Sequence, residues 1–137
     1  MRPVLIDTNA YVAFKRRDAR AIEMLRRAEV IAVSVVVVGE LLAGFECGSR
    51  KEQNRVELEQ FLGSSRVKIY PITSNTTQWY AKIFYSLKRK GTPIPTNDLW
   101  IAAQALEHGC IVHTYDSHFE SIDGLLIGRA PDDLFPY

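Results

Sequence analysis

Four acidic residues stand apart from the other acids of this sequence because each lies beside an apolar run. The sequence contains 16 aspartates and glutamates, and most of them lie among other charged residues, as on solvated helix surfaces. The four exceptions are Asp7, Glu40, Asp98 and Asp116. A carboxylate at the edge of an apolar core is costly unless it is paired or binds a metal ion. If the four met in one crevice, they would repel each other unless a cation lay between them.

Each of these acids also has a purely structural explanation. Asp7 and Asp116 are typical of Asx-turns, in which the side chain accepts a hydrogen bond from its own backbone. Asp98 could be favoured in the first turn of a helix, and Glu40 could lie on the wet side of one. For any single acid the structural explanation is the better one. The positions of all four together favour a functional site.

The four acids would offer only oxygen ligands to a bound ion. Such a donor set suits Mg²⁺ or Mn²⁺ rather than zinc. The chemistry that needs it is usually phosphoryl transfer or phosphodiester cleavage, because metal ions generate a hydroxide nucleophile and stabilise charge on the leaving oxygen. The sequence therefore favours a metal-dependent reaction at phosphorus.

The elements that must position these acids are short apolar strands that alternate with helices. We predict strands at 4–6, 30–33, 67–70, 111–114 and 124–127, the last at an edge of the sheet. Helices are predicted at about 10–14, 19–28, 35–43, 49–61, 74–89 and 97–108, with Asp18 as the N-cap of the second and Gly91 just beyond the end of the fifth. This alternation predicts an α/β fold with a central parallel β-sheet flanked by α-helices. Asp7 and Asp116 would then follow the carboxyl ends of strands, where open α/β sheets bind ligands.

The valines at 35–38 are compatible with either a strand or a helix, since periodicity alone does not separate the two. Ser34 is a good helix N-cap, so we predict that a strand ends there. A helix then runs from Val35 to about Ala43 and ends at Gly44, although β-branched valines by themselves favour a strand. This helix would carry Glu40 within two turns of the strand end.

Length and composition limit the remaining choices. At 137 residues the chain has the common size of one domain, and we expect residues 1–137 to form one, with a loosely packed tail from about 129. A hydrophobic content of 47% argues against disorder. The chain shows no apolar stretch of membrane-spanning length and no leader pattern, so we expect a cytoplasmic protein that does not bind membranes. The isolated Cys47 and Cys110 are expected to be free thiols.

A net charge of +1 gives no general attraction to nucleic acid, so such a substrate would need local basic patches. Two clusters are candidates, and they include Arg16, Arg17, Arg20, Lys88, Arg89 and Lys90. A solvated surface and a phosphate-binding surface are equally good explanations of both clusters, and they could also meet an acidic stretch of a protein partner. The three histidines lack zinc spacing, so a packed or surface role is expected for each.

Four motifs, taken in order, resemble those of the PIN-domain ribonucleases. They are Asp7-Thr8-Asn9, Val38-Gly39-Glu40-Leu41 with Gly44, Asn97-Asp98-x-x-Ile101-Ala102-Ala103, and Thr114-x-Asp116-x-x-Phe119. The chain looks specifically like the toxin of a VapBC-type toxin–antitoxin pair, over nearly its whole length. The resemblance implies a PIN fold, Mg²⁺- or Mn²⁺-dependent endonucleolytic cleavage of RNA, inhibition by a cognate VapB-type antitoxin, and a homodimer.

The same resemblance assigns roles to the residues that match the motifs. Asp7, Asp98 and Asp116 are the best candidate metal ligands, and Glu40 is expected to ligate a second ion or to orient the attacking water. The supporting positions are a hydroxyl near the metal and side chains that hold the carboxylates and the first turn in place. These supporting residues are Thr8, Asn9, Asn97 and Thr114. His118 inherits no role from the resemblance.

Three other classes of protein remain as alternatives. A phosphohydrolase of the haloacid-dehalogenase kind would begin with an Asp-x-Asp pair, and Asn9 stands where the second acid belongs. A phosphoacceptor receiver domain should show adjacent acids early in the chain, which are absent from this sequence. A catalytically silent PIN-like binding module usually loses acids from the site, whereas all four are present here.

Overall fold

Five short strands form one parallel sheet in the computed structural model of the protein, which describes residues 1–134. The strands are β1 (Val4–Ile6), β2 (Ile31–Ser34), β3 (Val67–Tyr70), β4 (Ile111–His113) and β5 (Leu126–Gly128). Their order across the sheet is β3-β2-β1-β4-β5, and each neighbouring pair is parallel. The predicted α/β fold is confirmed, with β5 at one edge of the sheet.

Six α-helices connect or follow the strands within the described residues. They are α1 (Thr8–Lys15), α2 (Ala19–Arg27), α3 (Val35–Cys47), α4 (Lys51–Leu62), α5 (Ser74–Lys90) and α6 (Thr96–His108). Two short 3₁₀ helices follow at Ser117–Ser121 and Pro131–Leu134. None of the helices in residues 1–134 is long and apolar enough to span a membrane.

The strand order places a topological switch point beside the central strand β1. From β1 the chain moves outward on one side through β2 and β3, and on the other side it returns to add β4 and β5. In open α/β sheets, ligands bind outside the carboxyl ends of the strands at such a point. The register pairs Ile6 with His113, so Asp7 and Thr114 leave the sheet side by side.

The central strands are buried on both faces, as expected for a parallel sheet covered by helices. Val4, Leu5 and Ile6 are fully buried, and so is the neighbouring Val112 on β4. His113 is also fully buried, and its Nδ1 lies 2.9 Å from the carbonyl oxygen of Gly128. Of the packed or surface role predicted for this histidine, the structure shows the packed one.

The valine run begins a helix, as the Ser34 cap predicted. Ser34 is the last residue of β2, and its Oγ accepts a hydrogen bond of 3.0 Å from the backbone N–H of Val36. Val37 is buried in the core, and its packing outweighs the weak helix propensity of valine. The predicted helix end at Gly44 was wrong, since α3 continues to Cys47. A glycine costs a helix only about 1 kcal/mol, and Phe45, beyond Gly44, packs against the core.

Two further expectations concern the end of the chain and the cysteines. Residues 129–134 pack more closely than the predicted loose tail, since Leu134 is buried and Asp133 accepts hydrogen bonds from the backbone N–H groups of Arg129 and Ala130. Residues 135–137 lie outside the described part of the chain. Cys47 and Cys110 are both free thiols, as predicted.

Candidate active site

Asp7 lies where β1 ends and α1 begins. Its Oδ1 accepts a hydrogen bond of 2.8 Å from the backbone N–H of Thr8, which caps the helix, and its Oδ2 accepts one of 2.9 Å from the hydroxyl of Thr114. The residue is only 5% exposed. Burial raises the pKa of Asp7 to about 6, against the lowering effect of these two hydrogen bonds. Burial therefore disfavours the charged form of this carboxylate.

Asp116 is linked to Asp7 through Thr114, in the segment that follows β4. Its backbone N–H donates to the hydroxyl of Thr114 at 3.0 Å. Asn9 supports the same segment, since its Oδ1 accepts a hydrogen bond of 3.1 Å from the backbone N–H of Tyr115. The carboxylate of Asp116 in turn accepts the backbone N–H of His118 at 2.9 Å and so caps the 3₁₀ helix. Asp116 is thus fixed in an Asx-turn whose side chain remains half-exposed.

Asp98 comes from the other wall of the site, in the first turn of α6. A carboxylate at this position is favoured by the helix dipole. Burial nevertheless raises the pKa of Asp98 above its usual value, and the nearby charges of Asp116 and Glu40 act in the same direction. A hydrogen bond from His118 opposes both effects. This second acid also lies in a setting that disfavours its charged form.

Glu40 faces the other three acids from α3. Its Oε1 accepts a hydrogen bond of 2.8 Å from the hydroxyl of Thr8, and its Oε2 accepts one of 3.3 Å from the amide of Asn97. Thr8 and Asn97 each adjoin another of the acids in the sequence, namely Asp7 and Asp98. The side chains predicted to support the site therefore connect its acids to one another.

All four acids line one open cleft of about 700 Å³. Thr8 and Asn9 contribute to the same lining, and so do Asp18 and Arg16. The cleft thus collects five carboxylates and one guanidinium at the switch point of the sheet. Such like-charged groups repel one another unless a cation lies between them, and their oxygen donors fit a hard divalent ion.

His118 is a member of the site that the sequence reasoning missed. Its Nδ1 lies 2.9 Å from Oδ2 of Asp98 and 3.1 Å from Oδ1 of Asp116. The hydrogen bond to Asp98 raises the pKa of the imidazole above its usual value. The signal was its place two residues after Asp116, because an Asx-turn brings that residue back beside the acid. Asp18 was predicted only as the N-cap of α2, which it is, and it lines the cleft as well.

The candidate RNA-binding residues are distributed over two regions of the surface. Arg16 lines the acidic cleft, and Arg17 and Arg20 are exposed nearby in sequence. The other three form the last turn of α5, where Arg89 donates to the hydroxyl of Tyr85 and Lys90 pairs with Asp123 at 2.6 Å. Lys88, Arg89 and Lys90 are not among the residues that line the cleft.

The chain is similar to known proteins over most of its length. The model of the PIN domain family matches residues 4–125. The curated ribonuclease VapC2 of Rickettsia felis is 33% identical over 128 residues, which cover 90% of this chain and 94% of that protein.

Solved structures of toxin–antitoxin complexes contain similar folds. A chain of VapBC2 from Rickettsia felis, bound to a DNA fragment from their promoter, superposes with a TM-score of 0.81 at 30% identity and covers 92% of this chain and 97% of that one. A chain of DNA-bound VapBC from Salmonella typhimurium gives a TM-score of 0.83 at 27% identity, with coverage of 93% and 98%.

Proposed function

Because the chain belongs to the PIN-domain family, and within it to the VapC ribonucleases, we propose that it is a metal-dependent endoribonuclease and the toxin of a toxin–antitoxin pair. The observation that carries the proposal is the cleft in which Asp7, Glu40, Asp98 and Asp116 meet. Burial raises the pKa of Asp7 to about 6. A bound divalent ion would favour the charged form of this carboxylate.

The donor set supports Mg²⁺ or Mn²⁺ as the ion. All four acids offer carboxylate oxygens, which these ions prefer. Asp7, Asp98 and Asp116 would hold the ion, and Glu40 would ligate a second ion or orient the attacking water. When bound, such ions activate water and stabilise the charge that develops on a scissile phosphate.

The supporting side chains keep the carboxylates in place for this reaction. Thr114 donates to Asp7, Thr8 donates to Glu40, and the amide of Asn97 approaches Glu40 from the start of α6. Asn9 holds the backbone of the segment that carries Asp116. Hydrogen bonds of this kind orient metal ligands, and their loss typically costs about 10- to 100-fold in affinity or activity.

RNA would approach the cleft on the side where Arg16 lies. Arg16 lines the cleft beside the acids, where its guanidinium can contact a phosphate next to the scissile one. Phosphate contacts of this type position a nucleic acid without reading its sequence. Arg17 and Arg20 would extend the same path, while Lys88, Arg89 and Lys90 would contact RNA or a partner at a separate surface.

The proposed partners are a VapB-type antitoxin and a second copy of this chain. Both solved relatives described above are VapBC complexes, which supports an antitoxin partner. A homodimer is supported by the exposed aromatic side chains of α5, since Phe84 and Tyr85 are 50% and 60% exposed. Apolar groups of this size are frequent at protein interfaces.

The test is cleavage of RNA by the purified protein. We expect cleavage with Mg²⁺ or Mn²⁺, none with EDTA, and none from Asp98→Asn under either condition. Asp132→Asn, an exposed acid outside the cleft, serves as the matched control and should cleave normally. Cleavage that survives EDTA, or an active Asp98→Asn variant, would overturn the metal-dependent mechanism and favour another site.

The toxin role has its own test in cells. Expression of the chain alone should arrest growth, and co-expression of the antitoxin should relieve the arrest. The Asp98→Asn variant should not arrest growth at equal protein levels. Normal growth under strong expression of the active chain would contradict the toxin role while leaving the nuclease activity in place.

A further inference from the structure

We propose that His118 is a nitrogen ligand of the divalent ion held by Asp98 and Asp116, and that it makes this site prefer transition-metal ions to Mg²⁺. The inference rests on the proposed function, because it assigns one more ligand to the same metal site. It concerns a residue to which the resemblance to PIN-domain proteins assigns no role.

The distances around His118 match the ligand spacing of an octahedral ion. Its Nδ1 lies 2.9 Å from Oδ2 of Asp98 and 3.1 Å from Oδ1 of Asp116, and the three ligand atoms all lie within 4.8 Å of one another. Adjacent ligands of an ion with bonds of about 2.1 Å lie about 3.0 Å apart, and opposite ones about 4.2 Å apart. The imidazole nitrogen is therefore already at ligand spacing from both carboxylates.

The local fold holds the imidazole in this position. The backbone N–H of His118 is bound by the carboxylate of Asp116, which caps the 3₁₀ helix. The next side chain, Phe119, is fully buried in the core and anchors the same turn. The side chain of His118 remains 45% exposed. Water can therefore complete the coordination of an ion bound there.

A nitrogen ligand changes which ions the site prefers. Mg²⁺ is bound mainly through oxygen atoms and water, whereas imidazole suits transition ions. With His118 as a ligand, we expect Mn²⁺ to bind at least about tenfold more tightly than Mg²⁺, since even a group that only orients a metal ligand typically changes affinity or activity by about 10- to 100-fold. Without it, the same carboxylates should distinguish the two ions less.

Pulsed electron paramagnetic resonance of the Mn²⁺-loaded protein tests the assignment directly. A histidine ligand couples its nitrogen nucleus to the electron spin of Mn²⁺. We expect a ¹⁴N coupling in the wild-type protein, its replacement by a ¹⁵N coupling when only the histidines carry ¹⁵N, and its loss in His118→Gln. His108→Gln is the matched control and should keep the coupling, because His108 lies at the far end of α6 beside Glu107.

Calorimetric titration with Mn²⁺ and Mg²⁺ supplies the second readout. His118→Gln should lose at least about tenfold in Mn²⁺ affinity and change less toward Mg²⁺. If Mn²⁺ binds to the wild-type protein, is lost in Asp98→Asn, and shows no histidine coupling, His118 is not a ligand and the proposed function stands. If Mn²⁺ does not bind to the wild-type protein, both proposals are overturned.

Discussion

The hydroxyl of Thr114 donates a hydrogen bond of 2.9 Å to Oδ2 of Asp7, although the two residues are 107 positions apart in the sequence. Thr114 is fully buried, and its oxygen also accepts the backbone N–H of Asp116 at 3.0 Å. One hydroxyl therefore joins the carboxylate that follows β1 to the segment that follows β4. The relative position of two of the four acids depends on it.

Replacement of Thr114 by valine should lower both activity and stability. The change keeps the side-chain shape but removes the donor to Asp7 and the acceptor for Asp116. We expect RNA cleavage to fall about 10- to 100-fold and the free energy of unfolding to fall by about 1–3 kcal/mol. Both are measurable, as kcat/KM under excess Mn²⁺ and by denaturant unfolding.

The serine variant is the control for this change. Thr114→Ser keeps the hydroxyl and should retain most of the activity, with a small loss of stability from the missing methyl group. A Thr114→Val protein that cleaves RNA at the wild-type rate would show that the hydroxyl does not position Asp7.

Replacement of Asp7 by asparagine should stabilise the metal-free protein at neutral pH. The pKa of Asp7 is raised from 3.8 to about 6, so the folded state binds this proton more tightly than the unfolded state. Its contribution to stability is present below about pH 4 and is lost as pH rises through about 6. In EDTA, the stability gained by Asp7→Asn should grow over this window, to at most about 3 kcal/mol by the conversion of about 1.36 kcal/mol per pKa unit.

Thermal melts from about pH 4 to about pH 8 measure this difference across the window in which the carboxyl titrates, with Asp132→Asn as the control for removal of an exposed acid. Excess Mn²⁺ should reverse the order of stability, because the ion binds the folded wild-type protein and the amide introduced by Asp7→Asn is a weaker ligand than the carboxylate. A difference between wild type and Asp7→Asn that does not change with pH would show that burial of the charge is compensated in another way.

Arg16→Gln should weaken RNA binding in a salt-dependent manner. Arg16 is the basic residue that lines the acidic cleft. If its guanidinium contacts a phosphate, its loss should lower the slope of log affinity against log salt by about 0.7, the value for one contact to single-stranded nucleic acid. Binding can be measured in the Asp98→Asn background, where the RNA stays intact.

Arg89→Gln provides the comparison, since Arg89 lies on α5 and bonds to Tyr85. This change should leave the slope of log affinity against log salt unchanged if the RNA binds near Arg16. A larger effect from Arg89→Gln than from Arg16→Gln would indicate that RNA binds at the end of α5 instead.

Gly44→Ala should stabilise the protein by about 1 kcal/mol. Gly44 lies inside α3, and an added Cβ would meet no atom within 4 Å, so the full difference in helix propensity should appear. Gly91→Ala is the opposite case, because Gly91 ends α5 with a φ of 71°. An alanine there should cost about 1–2 kcal/mol. Denaturant unfolding compares the two, and a destabilising Gly44→Ala would contradict the continuous helix.

The sequence alone was sufficient for features that depend on neighbouring residues. The N-caps at Ser34 and Asp18 and the end of α5 at Gly91 follow from side chains that bond or permit the adjacent backbone. The alternation of short apolar runs with helical stretches also predicted the parallel sheet, because strands joined by helices run parallel. The acids after apolar runs pointed to the carboxyl ends of its strands.

The end of α3 shows where local reasoning failed. Gly44 is a common stop signal, yet the helix continues because Phe45, beyond it, packs against the core. Packing between elements stabilises a helix more than the propensity of one residue destabilises it.

The packing of distant elements determines which side chains face each other in the cleft. The pairing of β1 with β4 brings Thr114 to Asp7, and the packing of α6 brings Asp98 to His118. Both contacts join residues that are distant in the sequence, so they depend on the order of strands in the sheet and on the packing of α6 against it. Sequence therefore identified the acids and the strand ends, while the fold determined their hydrogen-bond partners and added His118 to the site.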